Sequence, residues 1–63
     1  MIDLKKLRTE KGLTQEQLAN ESGVQRTTIT MIELGENKPS IELAKKLGAI
    51  FEIAWSDFFE DDQ

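Results

Sequence analysis

The sequence predicts an all-α domain of five short helices. Three observations carry this. Apolar residues recur at spacings of three and four, with almost no strict alternation. Gly12, Gly23, Gly35 and the pair Lys38-Pro39 break that pattern at roughly helix-length intervals. The 63 residues, 38% of them hydrophobic and only one of them proline, suit one small packed domain near the lower size limit for folding alone. Residues 1–63 are read as a single domain, with 1–60 folded and 61–63 an acidic tail.

The first helix is expected over 4–11. Asp3 can cap it, Leu4 and Leu7 face inward at i, i+3, and Gly12 suits the left-handed position that ends a helix. The second starts with the strongest local signal in the chain. In Thr14-Gln15-Glu16-Gln17 the Thr14 hydroxyl can cap the Gln17 amide while the Gln17 side chain returns to Thr14. Leu13 and Leu18 hold the hydrophobic-staple positions around it. This helix reaches about Ser22, and the short turn at Gly23 forces a sharp crossing with the third, over 26–34. Gln25 is a poor cap for the third, and Gly35 ends it. Ser40 caps the fourth, which runs to about Phe51, and a fifth closes the domain over 55–60.

The sequence contains neither cysteine nor histidine. Disulfides, the usual zinc sites, imidazole acid–base chemistry and thiol nucleophiles are therefore excluded. No carboxylate pair falls in a predicted cleft, so no enzymatic activity, metal or cofactor is expected. No apolar run approaches the roughly 20 residues of a membrane span, and the N-terminus lacks a signal-peptide core. A cytoplasmic protein with no membrane partner is expected. The chain leaves no room for a separate ligand-sensing domain, so no small-molecule ligand is expected either.

The formal net charge is −4, which at first reading disfavours a polyanion partner. Its distribution changes that reading. Residues 1–48 hold eight bases against seven acids, a net +1, whereas residues 49–63 hold five acids and no base. The acidity belongs to the C-terminal quarter, where it reads as a solvated tail that keeps the protein soluble, the sharper alternative being a charge that repels DNA on one side and orients the domain.

On a helical wheel, Thr28, Ile29, Ile32 and Glu33 lie on one side of the third helix. Arg26, Thr27, Thr30, Met31 and Leu34 lie on the other. The outward side thus carries a cation, hydroxyls and apolar groups but no acid, whereas a merely solvated helix face tends to carry charged pairs. Such a face can approach phosphates without repulsion. Arginine can also bind guanine through two hydrogen bonds, and methyl groups can meet the thymine methyl. Glu33 faces inward and needs a partner, because an unpaired buried carboxylate is costly. Arg8, beside the core residues Leu4 and Leu7, is the candidate, and its planar guanidinium suits a carboxylate.

These residues together resemble the Cro/C1-type (Xre-family) helix-turn-helix domain of phage repressors and small bacterial regulators. The resemblance runs from Leu7-Arg8-Thr9-Glu10-Lys11-Gly12-Leu13-Thr14-Gln15 through Gln17-Leu18-Ala19, Gly23-Val24 and Ile29. It continues through Ile32-Glu33-Leu34-Gly35 and Lys38-Pro39-Ser40 to Phe58. It implies a compact five-helix, lambda-repressor-like domain whose second and third helices form the helix-turn-helix, the third entering the major groove of double-stranded DNA. Arg26, Thr27 and Met31 match base-reading positions. Gln15 matches a phosphate-contacting glutamine, and Thr30, Asn37 and Lys38 lie where backbone contacts are common. Arg8 and Glu33 match the family's internal ion pair. The implied function is a sequence-specific transcriptional regulator, a small repressor. The alternative is a protein-binding module that uses the outward face of the third helix.

The chain also departs from the family pattern. Gln25 replaces a Ser or Thr cap, and Met31 and Leu34 replace polar residues. Gly48 stands where alanine is common, Glu52 replaces a glycine, and Ala54 replaces a capping serine. A less regular C-terminal end is expected. In the fourth helix Ile41, Ala44, Leu47 and Phe51 are read as the inward stripe, with Ile50 to one side. Phe58 matches a core position, leaving Trp55 and Phe59 at i, i+4 on another flank. Together with Ile50 or Ile53 they form the expected homodimer interface.

Overall fold

The structure, a computed structural model, describes residues 2–59. Glu60 and the acidic tail at 61–63 lie outside the described residues. Four α-helices run in chain order: α1 (Leu4–Glu10), α2 (Gln15–Ser22), α3 (Arg26–Glu33) and α4 (Ile41–Phe51). No strand occurs among the described residues.

Each start has a local cause. Asp3 accepts the Lys6 N–H at 3.1 Å at the head of α1. The Thr14 hydroxyl accepts the Gln17 N–H at 3.0 Å, and Gln17 Oε1 accepts the Thr14 N–H at 2.9 Å, completing the reciprocal box of α2. Ser40 Oγ accepts the Leu43 N–H at 3.1 Å before α4. Gln25 makes no side-chain cap bond at α3, which is held by its packing against α2 instead. That packing depends on the turn between them. Gly23 adopts φ 74°, so the chain reverses without a Cβ in the way, and the Val24 N–H bonds the Ala19 carbonyl at 3.0 Å.

The centre of the core is formed by Leu4, Leu18, Ala19, Ile29, Leu43 and Leu47. Leu13, Val24, Ile32, Ile50, Phe51 and Phe58 pack around it half-buried. The inward face of α4 differs from the expected one. Leu43, Ala44, Leu47 and Gly48 are buried, while Ile41 is 58% exposed and outside the core. The stripe is rotated because its last buried member is a glycine, which contributes backbone rather than apolar side chain to the interface.

Gly48 explains the end of the fold. A Cβ there would lie 2.8 Å from the Ile53 carbonyl oxygen and 3.3 Å from Trp55 Cα. The returning chain therefore lies directly on the helix backbone, and the Ile53 N–H bonds the Gly48 carbonyl at 3.0 Å. To make this return, Glu52 takes φ 59° and ψ 44°, the left-handed conformation that disfavours residues with a Cβ. The fifth element is a correction to the sequence reading: Trp55–Phe59 is a 3₁₀-helix, η1, not an α-helix. The Asp57 N–H reaches the Ala54 carbonyl at 3.0 Å in an i to i+3 bond.

Candidate nucleic-acid interface

One polar cluster ties α3 to α1 and α2. The Arg8 guanidinium meets the Glu33 carboxylate through Nε–H to Oε2 at 2.6 Å and Nη2–H to Oε1 at 3.3 Å. Its Nη1–H donates to the Leu13 carbonyl at 2.8 Å. The two side chains are only 10% and 5% exposed, so this pair is largely desolvated. Gln15 joins from the first turn of α2, its Nε2–H donating to Glu33 Oε1 at 2.9 Å. The Thr30 hydroxyl is 3.0 Å from Gln15 Oε1 and 3.1 Å from the Arg26 carbonyl oxygen. Side chains from α1 and α2 thus converge on Glu33 of α3, and no buried side-chain polar atom among the described residues lacks a partner.

Around this cluster the residues singled out by sequence take distinct places. Arg26 and Thr27 are exposed on the first turn of α3, while Thr30 and Met31 are half-buried one turn later. Arg26 and Gln15 share the wall of a shallow, open concavity of about 450 Å³, with Arg8, Leu13, Thr14 and Glu16. Asn37 and Lys38 are exposed in the loop after α3. There the Asn37 N–H bonds the Met31 carbonyl at 3.3 Å and ties the loop back to the helix. Leu34, just past the end of α3, is 66% exposed. Glu33 is the one acid of α3 and is consumed by the cluster, so the outward side of α3 carries no carboxylate of its own.

The C-terminal residues gather elsewhere. Trp55 is 38% exposed and meets Phe59 edge to face, with ring centroids 6.1 Å apart and planes at 77°. Lys45 Nζ lies 5.4 Å from the Trp55 ring centroid, within cation–π range. Ile53 and Phe59 are half-buried. Ile50 packs against the core, so less of it faces outward than the wheel of the fourth helix suggested. Three features escaped the sequence reading, namely the Lys45–Trp55 stack and the hydrogen bonds from Gln15 to Glu33 and from Thr30 to Gln15. No local spacing signals any of them.

Two helices joined at a left-handed glycine, the second with a cationic, acid-free outward side, describe a known arrangement, and residues 4–58 match the helix-turn-helix family model. The chain belongs to the helix-turn-helix family. An HTH-type transcriptional regulator of Bacillus subtilis, YqaF, is 48% identical over 58 residues, covering 92% of this chain and 76% of that protein. One from Methanocaldococcus jannaschii is 45% identical over 62 residues, covering 95% and 94%. Among solved structures, the N-terminal DNA-binding domain of SinR from Bacillus subtilis superposes with a TM-score of 0.79 at 26% identity, covering 95% of this chain and 88% of that one. A helix-turn-helix regulator of Vibrio cholerae gives 0.74 at 35% identity, but this chain spans only 34% of its length. Among the described residues of this family member, no helix is long and apolar enough to cross a membrane.

Proposed function

We propose that this protein is a sequence-specific DNA-binding transcriptional regulator, a small cytoplasmic repressor that lays α3 in the major groove. The observation that carries the reading is the polar cluster. It fixes an acid-free helix side carrying Arg26, Thr27 and Met31 against the start of α2, which carries Gln15. In this reading Arg26, Thr27 and Met31 read base edges. Gln15, Asn37 and Lys38 engage the sugar–phosphate backbone. The names of the relatives support the same class. Binding, not catalysis, is the activity.

One short helix reads few base pairs, so we further propose that two copies act together on a two-fold site. The Trp55–Phe59 edge, flanked by Ile53 and the outer part of Ile50, is the contact. Phe59→Asp should leave the fold intact, give a monomer by light scattering and lose tight binding to a palindromic site. A wild-type protein that stays monomeric at high micromolar concentration, free and on DNA, would remove this part.

Selection of bound sites from random duplex DNA tests the main reading. It should return a short half-site. Affinity for it should fall with salt at a log–log slope of about −2 to −4 per protomer, set by the few cations near the helix. Recovery of no sequence, with binding flat in salt, would favour the second reading, a protein-binding module. Leu34 at 66% exposure beside Met31 is the observation on that side.

A further inference from the structure

The Glu33 carboxylate can only accept hydrogen bonds. Gln15 must therefore turn its amide nitrogen toward it, and Nε2 lies 2.9 Å from Glu33 Oε1. The amide oxygen is then left as an acceptor at the other end of the group. The Thr30 hydroxyl lies 3.0 Å from it. A hydroxyl has one proton, and its other close neighbour, the Arg26 carbonyl oxygen at 3.1 Å, is also an acceptor. Phosphate oxygens accept as well, so Thr30 has no second proton to give them. Gln15 does, because its amide nitrogen carries two protons and Glu33 takes one.

We propose that Thr30 is a positioning residue that acts through Gln15. By holding Oε1 it fixes the amide plane and aims the remaining Nε2–H of Gln15 at a DNA phosphate. The consequence is a mechanical link. The donor on α2 is set by a side chain on α3, so the phosphate contact is made only when α3 sits at its proper depth. This rests on the DNA-binding reading above.

Two measurements test it. In the free protein, the two Gln15 side-chain amide protons should give separate, dispersed NMR resonances. Thr30→Val, close to isosteric, should move them toward the values of a solvent-exposed glutamine, and Thr30→Ser should restore them. On duplex DNA, Thr30→Val should weaken binding to preferred and unrelated sequences alike, by about three- to tenfold. The salt slope should be unchanged, because a neutral donor releases no counterion. Thr30→Ser should bind like wild type, and Thr30→Val should cost nothing further in a Gln15→Ala background. Gln15 resonances unmoved by Thr30→Val, or losses that add fully with Gln15→Ala, would overturn the proposal. A wild-type protein that binds no duplex would instead overturn the DNA reading, and the Gln15 resonances would still decide whether Thr30 holds the amide.

Discussion

Gly48→Ala should destabilise the protein, although alanine is the better helix former. Two effects oppose each other. In a helix interior, glycine to alanine contributes about 1 kcal/mol of stability. Against this, the new methyl carbon would sit 2.8 Å from the Ile53 carbonyl oxygen and 3.3 Å from both Trp55 Cα and Cβ. The nearest of these is a backbone atom, so no side-chain rotation relieves the clash. Either the 53–55 segment lifts, weakening the Ile53 to Gly48 hydrogen bond of 3.0 Å, or α4 bends. Overpacking of this kind costs about 1–3 kcal/mol, and here it falls on backbone and on an aromatic anchor, so the upper half of that range applies. The net loss is about 1–2 kcal/mol. For a domain of this size that lowers the Tm by roughly 5–15 °C. Thermal unfolding followed by far-UV circular dichroism measures the shift. Trp55, the single tryptophan, reports the local change, and its emission should move to the red before the main transition. A variant as stable as wild type, or more so, would show that the chain return does not lie on α4 as described.

Other substitutions isolate separate parts of the molecule. Glu33→Ala removes the acceptor of three hydrogen bonds and leaves a 10%-exposed guanidinium unpaired, so urea unfolding should show a loss of about 3 kcal/mol. Arg8→Met combined with Glu33→Leu should cost less than either single change, and equal stability of all variants would mean the pair is solvated. Glu52→Gly relieves a left-handed residue at φ 59° and should raise stability by up to about 1 kcal/mol in the same assay; a decrease would refute strain at this position. Arg26→Ala and Met31→Ala should each cost about 1–3 kcal/mol on the preferred site and relax base preference. Lys38→Ala should weaken all duplexes alike and reduce the salt slope by about 1; the opposite pattern would place the reader outside α3.

Much of the fold is legible because its signals are local. The Thr14–Gln17 box, the Ser40 cap and the glycines at 12, 23 and 35 act within a few residues of themselves, and the helices begin and end where those residues dictate. Glu33 is legible as a residue in need of a cation because an inward carboxylate is a long-range constraint with few solutions. The face of α4 is not legible in the same way. Periodicity counts apolar side chains, so it scores Ile41 and passes over Gly48, whose value lies in having no side chain. η1 is five residues long, too short for a wheel to separate i+3 from i+4 bonding. The Thr30 to Gln15 bond joins residues 15 apart in sequence, and either residue alone reads as an ordinary surface polar group.

The two ends of the molecule are fastened by different physics. Glu33 ties α1, α2 and α3 with directional, desolvated hydrogen bonds, whereas η1 packs principally on α4 through backbone contact at Gly48. Local opening of η1 therefore has its own free energy, below that of global unfolding, and amide exchange should find its protons less protected than those of α2. In the proposed two-copy reading, substitutions at Trp55 and Phe59 tune self-association while α3 keeps its geometry. On that same proposal, a lineage carrying this arrangement can change how tightly two copies hold one another, and hence the concentration at which a gene responds, without relearning its site.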